Sequence, residues 1–310
     1  MPVRLVTMGH VLCETIVFAD GRREGPVLGG PTAYAGTVTA RLGVPTGVVT
    51  KFGPDAPETL LDPLRDAGVD AEGVDTKRGI TTTNELVYAA DGTKQLKFLK
   101  QAGPVIPADI PDSYLQAAVF HAGPLDYEVP LETVRALARL GGQVSLDLGG
   151  YGGAHVRRDT YEQKKLSRSS LEELISCAQV AKASDEDARL LFGEENLSER
   201  QSAQRLVDWG AGVGVVTLGA RGSLVFTKDA KYVVPAIPGD AVDITGGGDS
   251  YMGGFLTEYM RTGDPWQAGV FASAVALCVI ERTGGVRAER MPTTEEARTR
   301  IPPDVKPRQL

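Results

Sequence analysis

The sequence predicts an α/β fold: a mostly parallel central sheet with helices on both faces, in three layers, carrying a small lid of two β-hairpins. Three observations predict it. From about residue 100 onward, short apolar runs alternate with amphipathic helical stretches, the pattern of parallel strands joined by crossover helices. Before that point, residues 14–27 and 83–97 each alternate apolar with polar side chains around an Ala-Asp-Gly turn, as hairpins with one wet face do. Glycine is in excess, 37 of 310 residues, against a usual share of about 7%. Its runs fall beside strand and helix ends, where the backbone must turn or closely approach something.

In chain order, VRLVTM at 3–8 reads as a first buried parallel strand ending at Gly9. Residues 31–42 read as a helix rich in small residues, 48–52 as a strand, and 57–67 as a helix closed by Gly68. Strands follow at 118–121, 143–148, 180–183 and 214–218, with helices at 131–140, 169–178, 186–191 and 199–209. A hairpin over 223–227 and 231–234 turns at Lys228 and Asp229, and two long helical patterns run over 250–261 and 266–281. The expected organisation is one domain over 1–300, with lid hairpins near 12–28 and 83–100 and a loose tail over 301–310.

Composition narrows the function. With 33 Lys and Arg against 40 Asp and Glu, the net charge of −7 argues against a surface that coats nucleic acid. Apolar runs long enough to span a membrane and a basic leader are both absent, so the expected location is the cytoplasm, with no membrane partner. Cys13, Cys177 and Cys278 are far apart and lack metal-ligand spacing, which suits free thiols in a reducing compartment.

The most informative segment is DITGGGDSYMGGF at 243–255. Gly246, Gly247 and Gly248 precede a long helix, so their amides and the helix N-terminus can converge on one anion. Asp249 stands in the first turn beside them, a base next to a cradle for developing negative charge, as phosphoryl or acyl transfer to a hydroxyl needs. A glycine-rich loop with Asp249 as a plain N-cap gives the same string.

This segment resembles the C-terminal signature of the ribokinase-like (PfkB) carbohydrate kinases, with Gly247 where the family usually has Ala. LGGPTAYAGTVTARLG at 28–43 is similar to the family's double-glycine signature, and VTKFGPD follows at 49–55. VTLGARGS at 216–223 resembles its nucleotide loop, and RTGGV at 282–286 its closing turn. The order of these matches is the family's. The resemblance implies ATP as donor, Mg2+, and a hydroxyl on a sugar-like acceptor, with Asp249 as general base and Gly246 to Gly248 holding the transferring phosphoryl group. It also implies that Thr217, Gly219, Ala220 and Gly222 meet the nucleotide, while Ala272, Ser273 and Ala276 are either a wall for its base or plain helix core. Asp243 would be a ligand for a monovalent cation, K+ in particular, or else a loop cap.

Three places depart from the family. Where it often has Asn-x-x-Glu to organise magnesium, this chain has Ser184-Asp-Glu-Asp187, so Asp187, helped by Asp185, is expected to act on Mg2+ through water; an ordinary acidic helix start is the alternative. On the acceptor side, beside Gly29 and Gly30, Glu14 and Tyr34 stand where ribose kinases have Asp and Asn, which puts ribose itself in doubt. MGHVLCE at 8–14, Ser184 and the stretch 96–109 look more like the inositol-kinase branch, for which Glu14, Asp126 and Asp147 are the candidate hydroxyl ligands. His10 and His121 follow predicted strands and are placed either on the acceptor side or in packing. Lys97 is assigned to a solvated hairpin edge or to the substrate.

The expected function is ATP-dependent phosphorylation of a small sugar, polyol or cyclitol, with the lid excluding water. The alternatives are a nucleoside kinase of the same family, favoured if Tyr34 stacks on a base, and a non-catalytic sugar- or nucleotide-binding relative. Apolar lid faces suggest a homodimer through the lid.

Overall fold

The computed structural model describes residues 2–88, 94–154, 156–157 and 159–309. The chain enters through β1 (Leu5–Met8), rises into the lid as β2 (Leu12–Val17) and β3 (Arg23–Gly29), and returns by α1 (Pro31–Arg41), β4 (Thr46–Lys51), α2 (Asp62–Asp66) and β5 (Asp70–Asp75). The second lid hairpin is β6 (Thr82–Tyr88) and β7 (Lys94–Lys100). Then come β8 (Val119–Ala122), α3 (Leu131–Arg139), β9 (Gln143–Asp147), α4 (Tyr161–Lys164), α5 (Arg168–Ser176), β10 (Val180–Ser184), α6 (Asp185–Leu191), α7 (Glu199–Asp208) and β11 (Val213–Thr217). The hairpin β12 (Ser223–Phe226) and β13 (Lys231–Val234) precedes α8 (Gly247–Thr262), α9 (Pro265–Ile280) and α10 (Thr294–Thr299).

Among the described residues, nine strands form the central sheet in the order β13-β12-β11-β10-β9-β8-β1-β4-β5, parallel from β5 to β11 and antiparallel at the β12 and β13 end. Successive side chains of a strand point to opposite faces, and both faces here are apolar. Leu5, Val119 and Val215 pack with Met252 and Phe255 of α8, whereas Val6, Phe120 and Val216 pack with the layer of Leu137, Leu174 and Leu206 on α3, α5 and α7. The lid is a separate sheet ordered β3-β2-β6-β7, whose two hairpins join through parallel β2 and β6. No helix among the described residues is long and apolar enough to cross a membrane.

Two local expectations change, and two features are new in the structure. The segment expected as one helix at 57–67 is a 3-10 turn at Glu58–Leu61 followed by the short α2. β5, with sequence DAEGVD, is an edge strand whose polar pattern gives no alternation to read. The tail is docked instead of loose: Arg308 O accepts from Val233 N–H at 3.0 Å, and Ile301 and Val305 pack on the core. The glycines around 149–153 form a buried turn pressed against Pro124 and Asp187. The expected turn at 90–92 and His155 lie outside the described residues.

Candidate active site

The carboxyl ends of the parallel strands share one edge of the sheet, where an open α/β fold places its ligand crevice. Register sets neighbours there: Met8 beside Ala122, His121 beside Ser145, Lys182 beside Asp147 and Ser184 beside Thr217. The lid stands over this edge from β1, and the N-terminus of α8 meets it from the side of α1 and α9.

α8 starts after Gly246, whose φ of 78° is left-handed. A Cβ at Gly246 would lie 2.3 Å from ring carbons of Tyr34, so only glycine lets the loop rest on that ring. Farther along, Gly253 and Gly254 bring α8 close to α1 and α9. Asp249 falls in the first turn and is half-buried. Of the expected cradle, the Gly247 amide closes a turn onto Ile244 O at 3.2 Å. The Gly248 amide, one residue into the helix, has no carbonyl of its own helix to bond.

Beneath this turn sits Lys182, buried on β10, its Nζ 2.8 Å from Asp147 Oδ2. The same Nζ is 3.1 Å from where a Gly248 Cβ would be. Burial alone would lower the ammonium pKa, but the charges of Asp147, Asp187 and Asp249 outweigh it and raise the pKa above its ordinary value. Asp147, expected at the acceptor, is therefore the counter-ion of Lys182, and it also accepts from Gly149 N–H at 3.0 Å.

Ser184 and Asp187 form a capping box at the start of α6. Asp187 Oδ2 accepts from Ser184 N–H and Oδ1 from Ala154 N–H, each at 3.0 Å, so the carboxylate also pins the 149–154 turn. Burial raises its pKa, but Lys182 and these bonds prevail and lower it. Asp185 turns away to Arg221 at 3.0 Å. Among the described residues, no three His, Cys, Asp or Glu side chains gather as a metal cage. A magnesium ion carried by nucleotide oxygens and water fits this donor set, since the bound carboxylate oxygens of Asp187 keep lone pairs for a water-mediated contact.

On the nucleotide side, Ser184 and Thr217 end adjacent strands, and Gly219–Arg221 make one 3-10 turn, with Ala220 at its centre. Gly222 has a reason of its own, because a Cβ there would meet Val234 O at 2.1 Å. Ala272 is fully buried in the core and Ser273 is nearly so, and both belong chiefly to the packing of α9.

The acceptor expectations separate. Glu14 and Gly29 do come together: a Cβ on Gly29 would lie 3.3 Å from the Glu14 carboxyl carbon, and Gly30 caps α1 beside it. Asn84 of β6 joins them, its Nδ2 donating to Glu14 Oε2 at 2.7 Å, while its buried Oδ1 has no partner among the described residues. Tyr34 is not an open face: it is 2% exposed, with its ring under Gly246 and its hydroxyl accepting from Arg290 Nη1 at 2.9 Å. Asp126 is enclosed by Lys164 Nζ at 2.5 Å, Gln101 Nε2 at 2.8 Å and the Arg157 amide at 3.2 Å, so it braces loops instead of waiting for substrate. His10 is packed: Nε2–H donates to Gly103 O at 2.9 Å and Nδ1 accepts from Thr82 Oγ1 at 2.8 Å. Lys97 pairs with Glu85 on the wet side of the lid.

His121 is buried, with Nδ1 against Ser145 Oγ at 3.0 Å. Burial, opposed by Asp147 and reinforced by Lys182, lowers its pKa to about 4. The unfolded chain thus takes up this proton from about pH 6.5 downward, whereas the native protein refuses it until about pH 4. Stability from this group is complete above pH 6.5 and falls between these limits by on the order of 3 kcal/mol. Urea midpoints at pH 7 and pH 5 should therefore diverge less in His121→Gln than in the parent; equal divergence would refute the buried neutral imidazole.

A model of the pfkB family of carbohydrate kinases matches residues 19–292. The chain belongs to that family. A cytidine kinase from Thermococcus kodakarensis is 33% identical over 265 residues, covering 83% of this chain and 88% of its own. A pyrophosphate-dependent kinase in the ribokinase family, solved with a pyrophosphate analog and myo-inositol, is 25% identical with a TM-score of 0.75, over 92% of this chain and 98% of that one. Ribokinase from Thermotoga maritima, at 19% identity, shares the fold with a TM-score of 0.78 over 96% and 99% of the two chains. The fold is ribokinase-like, and this PfkB protein is a kinase.

Three residues of this PfkB kinase escape a reading by motif. Lys182 had a signal, a lone cation inside the otherwise apolar strand VAKAS. Asn84 had less, one amide in an alternating hairpin. Arg290 had none, since a short polar stretch near the C-terminus does not announce a guanidinium that is 2% exposed.

Proposed function

We propose that this PfkB kinase transfers the γ-phosphoryl group of ATP to a hydroxyl of a small polyhydroxylated acceptor, with Asp249 as general base. The observation that carries this reading is the place of Asp249: first turn of α8, beside Gly246 to Gly248, within the field of Lys182. Asp249 takes the hydroxyl proton as the acceptor oxygen bonds phosphorus and the bond to ADP breaks. Lys182 and the N-terminus of α8 offset negative charge on the transferring group. Ser184, Thr217, Gly219, Ala220 and Gly222 line the donor side, and Asp187 would hold magnesium through water. When bound, magnesium neutralises phosphate oxygens and aligns them.

Glu14, Asn84, Gly29 and Gly30 take the acceptor hydroxyls. The covered lid face also carries Leu12, Ile16 and Leu86 around Glu14 and Asn84. Such a face suits a molecule with a hydroxylated part and a flat apolar part. Together with the cytidine kinase relative, this favours a nucleoside phosphorylated on its ribose. The myo-inositol-bound relative supports a cyclitol as the second reading.

ADP release measured over nucleosides, inositols, aldoses and ketoses, with a parallel pyrophosphate arm, tests the assignment. Nucleosides are expected to give the highest kcat/KM. An inositol ahead of every nucleoside would select the second reading, and turnover of none with either donor would reject both. A cytoplasmic homodimer joined through Val17, Val87 and Leu99 of the lid completes the proposal; a light-scattering mass of one chain would reject the dimer.

A further inference from the structure

The resemblance gives Asp243 to a monovalent cation or to a loop cap, and the structure places a cationic side chain there. All five N–H donors of Arg290 are bonded to oxygen. Nε donates to Val279 O at 3.1 Å, Nη1 to Gly285 O and Tyr34 Oη at 2.9 Å each, and Nη2 to Asp243 O at 3.3 Å and Thr245 O at 3.2 Å. Asp243 Oδ2 stands 3.7 Å from Nη2 as counter-charge, and Asp243 Oδ1 accepts from Thr245 N–H at 3.0 Å and from Tyr88 Oη at 3.2 Å.

These residues do not fit a bound potassium ion. Its oxygen ligands would be the same carbonyls and carboxylate that the guanidinium already engages, and a second cation there would face Arg290 at a few ångströms in a buried site, where like charges repel strongly. What the guanidinium joins is informative. Asp243 and Thr245 lead directly into Gly246, Tyr34 supports Gly246 from below, Gly285 lies in the closing turn, and Val279 ends α9. A single permanent charge thus fixes the loop from which α8 and Asp249 start.

We propose that Arg290 is a resident cation: a positioning residue that takes the place of dissociable potassium, so that turnover needs no added monovalent cation. This rests on the kinase reading above, and its test separates the two. Initial rates of the parent enzyme are measured in potassium-free buffer at constant ionic strength, with KCl, NaCl or CsCl replacing tetramethylammonium chloride up to about 100 mM. The rate should change by less than about twofold with any of them, whereas potassium activation of about tenfold or more would overturn the proposal. Thermal unfolding of the parent in the same series should show no potassium-specific rise in Tm; such a rise would overturn it even if no acceptor is turned over, a result that by itself would count against the kinase reading alone.

Arg290→Ala should lose most of its kcat, and methylguanidinium should restore rate and Tm to this variant without affecting the parent. A folded Arg290→Ala with undiminished kcat would also overturn the role. Should Arg290→Ala fail to fold, the parent salt series still decides, and Arg290→Lys, with three donors in place of five, should fold with lowered kcat and a nearly unchanged KM for acceptor.

Discussion

Asp249→Asn is expected to remain folded and to bind acceptor within a few-fold of the parent, while kcat falls by about 10²- to 10⁴-fold, the usual contribution of a positioned base. The substitution keeps the size of a half-buried side chain at a helix start and removes its negative charge and with it the capacity to take a proton. Its effect should therefore appear in kcat and leave KM little changed, as when an interaction made only in the transition state is lost. Both outcomes are read from one coupled ADP assay together with a denaturation curve.

Lys182→Met should have the largest effect on stability. The Asp147 carboxylate, 5% exposed, would lose the ammonium at 2.8 Å and, among the described residues, keep the Gly149 amide alone. Removing one partner of a buried ion pair typically costs about 3–5 kcal/mol because the other charge is left uncompensated. Urea unfolding should show a loss of that size, and Lys182→Met/Asp147→Leu should regain a large part of it by removing both charges. Activity should not return in the double variant, since the positive field under the α8 N-terminus is gone. A single variant within about 1 kcal/mol of the parent would mean that the pair is less buried than its geometry says.

The glycine run and Asp249 were legible because their chemistry is local: three glycines, a carboxylate and a helical period lie within a dozen residues. The parallel sheet was legible for a similar reason, through short β-branched apolar runs such as VGVVT in β11 that suit a strand buried on both faces. The orientation of Tyr34 was not. Residues Thr32 to Thr39 of α1 are all buried, so no polar face marks which side of that helix meets the acceptor and which meets the glycine loop. Asp126 and Asp147 were read as acceptor ligands because a cyclitol's hydroxyls call for paired carboxylates and both residues follow predicted strands. Their partners Lys164 and Lys182 come from 38 and 35 residues away, through register and loop packing that spacing does not encode. Arg290 is the extreme case, since its bond to Tyr34 spans 256 residues.

Transfer of label from [γ-32P]ATP to the best acceptor tests the central claim most directly, with the parent and folded Asp249→Asn compared in a single turnover at saturating acceptor. The parent should form one labelled acceptor per ADP, and the variant should transfer label at least about a hundredfold more slowly at similar acceptor affinity. Equal transfer rates in the two proteins, or ADP formed without labelled acceptor, would contradict that claim.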